Sequence, residues 1–133
     1  TFDLLETSSG RVILTFQKEK ERKRRLDRRK FFKKFESASK IPNKQLKDIE
    51  KKFSNNSMQK IYKDGYELVK SLQIKGVTNI SVPLFDYTGS AIAALTIPFV
   101  DRIISKGEPQ LEAVKNILKN SGKIISSDMG YKK

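Results

Sequence analysis

The sequence contains no cysteine, no histidine and no tryptophan. Without cysteine there can be no disulfide, iron–sulfur cluster or thiolate nucleophile, which fits a reducing compartment. Without histidine or cysteine no ordinary zinc site can form, and the commonest general base at neutral pH is missing. An enzyme of this composition would have to work with Asp, Glu, Lys or Tyr alone. Long apolar runs are scarce too. The longest, Ala91–Val100, contains Pro98 and falls well short of the roughly 20 residues needed to span a bilayer. Nothing in the opening residues reads as a secretion signal. The first residue is Thr1 rather than Met, so the expectation is a piece of a longer polypeptide.

Acidic residues are outnumbered. Against 15 Asp and Glu stand 28 Lys and Arg, a formal charge of +13 over 133 residues. That length fits one domain with a real core. The charge is unevenly spread: residues 18–34 hold 11 basic and 3 acidic residues, or +8. Between Phe16 and Phe31 the only large apolar residue is Leu26, so a helix there would be solvated nearly all round and anchored by Phe31, Phe32 and Phe35.

Upstream of this run, Thr7-Ser-Ser-Gly-Arg-Val-Ile-Leu-Thr-Phe16 offers hydroxyl N-caps followed by an apolar stretch, a helix start. Leu46, Ile49 and Phe53 suggest a further helix. Met58, Ile61 and Tyr62 suggest another, ending at Asp64-Gly65 with Gly65 as a left-handed cap. Residues 66–69 suggest a short strand, and residues 77–85 and 91–99 a hairpin around Asp86-Tyr-Thr-Gly89. A last helix is expected from Pro109 to near Gly130, with Leu111, Val114, Leu118 and Ile125 on one face. The order reads as one α+β domain.

Side chains alternate across a strand, so hairpin parity assigns faces. A two- or four-residue loop makes paired numbers sum to 177 or 175, which puts Ile80, Val82, Leu84, Ala93, Leu95 and Ile97 on one face. The other face then carries Asn79, Ser81, Pro83, Ile92, Ala94, Thr96 and Pro98. The first is a core face. The second is small and weakly polar, and reads either as a shallow pocket floor or as an ordinary covered sheet face. A three-residue loop would reverse the assignment.

Four segments, in order and over essentially the whole chain, resemble the effector-binding domain of IclR-type bacterial transcription regulators. Residues 7–16 are similar to that family's "ASGK/R-A-hydrophobic-L-A-F" segment, and Lys63-Asp-Gly-Tyr66 to its "RGY". Gly76-Val-Thr-Asn-Ile-Ser-Val-Pro-Leu-Phe-Asp86 is similar to "GV-x-x-I-A/S-x-P-V-x-D", and residues 89–97 to "G-x-V-V-A-A-L-S/T-V". The resemblance implies a GAF/PAS-like antiparallel sheet flanked by helices, here without its opening strands. It implies a single effector-binding domain over residues 1–133, preceded in the parent protein by a winged-helix DNA-binding domain. A cytoplasmic homodimer or homotetramer, with no membrane partner and no cofactor, follows from it as well.

By the same resemblance, a small organic ligand, often a carboxylate or aromatic acid, lies against the helix start. The matching positions are Ser8, Ser9 and Gly10, where free N–H groups and the helix dipole favour an anion. Thr7 or Ser8 caps the helix in either case. The family's polar contact positions on the sheet fall at Asn79 and Thr96. Two positions depart from the family pattern: an acidic contact becomes Val69 and a second serine becomes Pro98. These changes favour a less polar ligand, or one read through Asn79, Thr96 and Gln73.

The leading expectation is therefore a non-catalytic ligand sensor. The alternative is a basic nucleic-acid-binding module using residues 18–34, against which stands the lack of aromatic interleaving before Phe31. For an enzyme there is no constellation: Asp64, Asp86 and Asp101 accompany no candidate nucleophile or metal ligand.

Overall fold

In a computed structural model of the chain, the structure describes residues 4–35, 57–71, 74–100 and 110–132. Helix α1 spans Ser8–Phe16, α2 Glu19–Phe35 and α3 Met58–Asp64; strands β1 Glu67–Lys70, β2 Val77–Phe85 and β3 Ala91–Val100 follow, then helix α4 Leu111–Asp128. The Leu46–Phe53 helix and the Pro109 start lie outside the described residues, as do Gln73 and Asp101. The class is α+β, with one antiparallel sheet in the order β1-β2-β3.

Helix α1 begins where its cap predicts. Thr7 is extended, and its Oγ1 accepts the N–H of Gly10 at 3.1 Å. The helix ends at Gln17, which returns to extended backbone and sends its side-chain amide to the Ala91 carbonyl. The start of α2 is tied to the same corner. The Lys18 N–H donates to Ser90 Oγ, which itself donates to Glu21 at 2.8 Å. Leu26 packs on the buried Leu5–Leu14 pair together with Leu4 and Met58. The solvated helix is thus anchored along its first half; the anchoring expected of Phe31, Phe32 and Phe35 lies outside the described side chains. Gly65 closes α3 in the left-handed region at φ 80°, as its position after Asp64 implies.

The β2–β3 register sums to 177 from Val77↔Val100 to Leu84↔Ala93, the parity expected of the hairpin; a bulge then pairs Phe85 with Ala91. The apolar face carries Ile80 and Val82, with Leu95 and Ile97 beside them. Leu118, Leu111 and Val114 of α4 close over it. Each such buried aliphatic chain contributes about 1.5–3 kcal/mol relative to exposure. Ile125, expected on this face, is instead 37% exposed. Gly122 and Ser126 are the buried positions there. A Cβ on Gly122 would sit 2.9 Å from Val82 Cγ2, and Ser126 Oγ accepts the Phe85 N–H at 3.0 Å. Close approach of helix and strand leaves no room for an isoleucine turned inward.

Helix α1 covers the opposite face of the sheet, packing on β2 and β3. Among the described residues no helix is long and apolar enough to cross a membrane.

Candidate functional site

Two cross-strand rows define the face under α1. One runs Glu67–Ser81–Thr96, the other Val69–Asn79–Pro98. The first row is covered. Ser9 Oγ and Thr96 Oγ1 lie 2.5 Å apart, and Thr96 Oγ1 is 2.8 Å from Ser81 Oγ, leaving Ser81 fully buried. Arg11 reaches the same row from the next turn of α1. Its Nε and Nη2 donate to the Glu67 carboxylate at 2.8–3.0 Å, and its Nη1 donates to the Leu5 carbonyl at 3.0 Å. Both side chains are only 13–14% exposed. The bidentate, charge-assisted pair locks α1 onto β1 and holds residues 4–6 against the helix.

The second row stays open along part of its length. Between it and the start of α1 lies a recess of about 170 Å³, lined by Glu6, Thr7, Ser8, Ser9, Arg11, Val69, Lys70, Ser71, Asn79 and Thr96. The structure thus brings together Ser8, Ser9, Val69, Asn79 and Thr96, five of the seven positions singled out in the sequence. The small, weakly polar face is both things it was read as: a covered face along Ser81 and a recess floor at Asn79. Ser8 lines this recess, and its Oγ, itself sealed from solvent, finds no hydrogen-bond partner among the described residues. A buried hydroxyl left unpaired costs about 1–3 kcal/mol, so the recess carries an unmet polar demand. By helix geometry the N–H groups of Ser8 and Ser9 also lack intrahelical partners.

Gly10 and Pro98 stand apart from the recess. The Gly10 N–H is taken by Thr7, so it is not a free donor. Its missing side chain serves packing: a Cβ would fall 1.9 Å from the Leu4 carbonyl oxygen. Pro98 ends the open row on β3 with its side chain exposed. Sequence reasoning missed the charged rim of Glu6, Arg11 and Lys70, and Glu67 as the partner of Arg11. The signal available was an arginine inside an otherwise apolar helix, which at α1's depth needs a carboxylate partner.

A larger cleft of about 570 Å³ lies between α4, the upper half of β2 and the end of α1, lined by Phe16, Val82, Phe85, Gly122, Lys123 and Tyr131 among others. Its walls are mostly aromatic and aliphatic. None of the sequence-predicted positions lines it, and its polar residues are Asp64, Lys119, Lys123 and Ser127.

The family model for the bacterial transcriptional regulator IclR C-terminal domain matches residues 1–127. The chain belongs to the IclR C-terminal family. Solved structures of IclR-family domains share the fold. The C-terminal domain of the Escherichia coli transcriptional regulator KdgR is 26% identical with a TM-score of 0.65, covering 96% of this chain and 71% of that one. Thermotoga maritima IclR is 28% identical with a TM-score of 0.65, over 97% of this chain and 48% of its own. An IclR homologue from Microbacterium hydrocarbonoxydans, solved with 4-hydroxybenzoate, is 20% identical with a TM-score of 0.63, over 96% and 46%. This IclR domain therefore spans about half the length of the two longer proteins. No curated protein sequence matches it significantly. The family is one of transcriptional regulators.

Proposed function

We propose that residues 1–133 are a single effector-binding domain, the sensing and oligomerisation part of a cytoplasmic bacterial transcription regulator that is not itself an enzyme. The observation that carries this reading is the unpaired Ser8 hydroxyl, buried beside a recess between a helix start and a partly uncovered sheet row. A ligand oxygen there would meet that demand, together with the first-turn N–H groups and the Asn79 amide. Val69 forms an apolar wall. The volume suits a small organic molecule; the first-turn donors and Lys70 favour a carboxylate end, and Glu6 on the rim directs that end away from itself. The homologue solved with 4-hydroxybenzoate supports an aromatic acid of that size as the first ligand to try. Arg11 is already neutralised by Glu67 and serves to position the helix. DNA is contacted by a preceding winged-helix domain, and ligand occupancy biases a homodimer or homotetramer by the 1–3 kcal/mol typical of such coupling.

The test is Ser8→Ala. Removing an unpaired buried hydroxyl raises the stability of the ligand-free chain by about 1 kcal/mol, yet weakens 4-hydroxybenzoate or a related small carboxylate. Asn79→Ala and Thr96→Val weaken the ligand too. Titration calorimetry on the protein with its upstream domain reads the affinity, and urea unfolding reads the stability. If no benzoate or short aliphatic carboxylate binds, or if Ser8→Ala, Asn79→Ala and Thr96→Val bind as well as the parent, the site assignment fails.

A further inference from the structure

The sensing site makes no use of α2, the helix that carries most of the charge. Of its two first-turn acids, Glu21 is engaged with the body of the protein, accepting from Ser90, and the neighbouring Arg22 donates to Met58 Sδ. Leu26 is turned inward. Lys20, Lys23, Arg24, Arg25 and Arg28 are all exposed. Glu19 and Asp27 are the exposed acids beside them, and among the described residues none of the five cations forms an ion pair.

A helix charged only for solubility interleaves signs at i, i+4, which stabilises it by a few tenths of a kcal/mol per pair. Here one row, Glu19–Lys23–Asp27, does alternate, but beside it Lys20, Arg24 and Arg28 follow one another at that spacing with the same sign. Each step is about 6 Å along the axis, given a rise of about 1.5 Å per residue. Like charges in such a row destabilise the helix by similar amounts unless a neighbouring anion offsets them. The outward face of the described part has no large apolar residue, so it lacks the wedge a membrane-surface helix inserts. It has no aromatic ring on which an unpaired base could stack. What remains is a rigidly anchored row of cations suited to a regular line of phosphates.

We propose that the exposed face of α2 is a docking surface for the phosphate backbone of duplex DNA, independent of base sequence. It adds electrostatic affinity next to whatever domain reads the operator, and it does not depend on the ligand assignment above.

Fluorescence anisotropy of the 133-residue chain with a labelled random-sequence 20-base-pair duplex, between about 50 and 200 mM KCl, tests this. The expected slope of log K against log salt is about −0.9 per phosphate neutralised, with three to five phosphates engaged. Lys20→Gln, Arg24→Gln and Arg28→Gln combined should cut the slope by about 2–3 and the low-salt affinity about tenfold. Replacing the same arginines by lysine should preserve the slope, which separates charge from folding. A control removing three exposed lysines elsewhere, Lys60→Gln, Lys63→Gln and Lys123→Gln, should change little. The proposal is overturned if the control weakens binding as much as the α2 variant. It is equally overturned if duplex DNA is not bound at 50 mM salt, or if single-stranded dT20 or phosphatidylglycerol vesicles are bound more tightly than the duplex.

Discussion

Helices α1 and α2 are separated by only Gln17 and Lys18, yet they hold the chain together by opposite means. Helix α1 has nine residues, five of them buried, and is too short to persist alone in water. It exists because Thr7 caps it and because Val12 and Leu14 have lost all contact with solvent. Helix α2 has seventeen residues dominated by Arg, Lys and Glu, which favour helix on their own. Its described side chains contribute little to the core beyond Leu26. The difference assigns the work: the short helix shapes a recess with its own hydroxyls, and the long one presents charge without burying it. The proposed ligand site accordingly lies where packing is tight, and the proposed phosphate-docking face where little side-chain surface is buried.

The sharpest break of this contrast is a pair of truncations. Leu14→Ala should cost about 2–5 kcal/mol, as for a fully buried leucine, while Leu26→Ala at its half-buried position should cost about 1 kcal/mol. Urea unfolding of the two variants measures both. Equal losses would mean that α2 is as deeply built into the core as α1.

A smaller effect is expected at Gly10. Alanine favours helix over glycine by about 1 kcal/mol at an open site. Here its Cβ meets the Leu4 backbone, and Gly10→Ala should instead destabilise by about 1–3 kcal/mol. Arg25→Ala on α2 should stay within about 0.5 kcal/mol. A stabilising Gly10→Ala would show that residues 4–6 are not held against the helix.

The smallest effect is a titration in the β2–β3 turn, whose Asp86 feels the charge of Lys18 just ahead of α2. The Asp86 carboxyl lies below its ordinary value of 3.8, chiefly because the Thr88 hydroxyl donates to it. The Thr88 N–H at 2.9 Å and the nearby Lys18 charge act the same way, and burial opposes them. A depressed carboxyl contributes fully above its unfolded value, and the contribution is lost as pH falls through the folded value. Side-chain NMR titration should therefore place its midpoint below 3.8. Thr88→Val should move it up, and Lys18→Met should move it up by less. A midpoint unmoved by Thr88→Val would sink this account.

Much of the site was legible locally. Thr7 announces the helix start because a short hydroxyl can accept an N–H of the first turn. Asn79 and Thr96 share a side of the sheet because side chains alternate with period two, whereas Val69 was reached only through the family resemblance and joins them through its pairing with Asn79. The inward turn of Ile125 was misjudged for a related reason: apolar spacing says which side of a helix is greasy, not how near the sheet comes. At Gly122 the backbone itself makes the contact, and the last turn is left to Ser126.

The sequence alone therefore settled where the helix starts and where the charge lies, and, given an even-length hairpin loop, which residues of the hairpin face the same way, all consequences of short-range geometry. Only the tertiary structure decided which part of that face stays uncovered. Arg11 finds Glu67 across 56 residues of chain and Ser9 finds Thr96 across 87, pulling α1 over one cross-strand row and leaving the next exposed. The same placement buries the Ser8 hydroxyl without a partner. No periodicity encodes that, because it depends on where distant segments come to rest against one another.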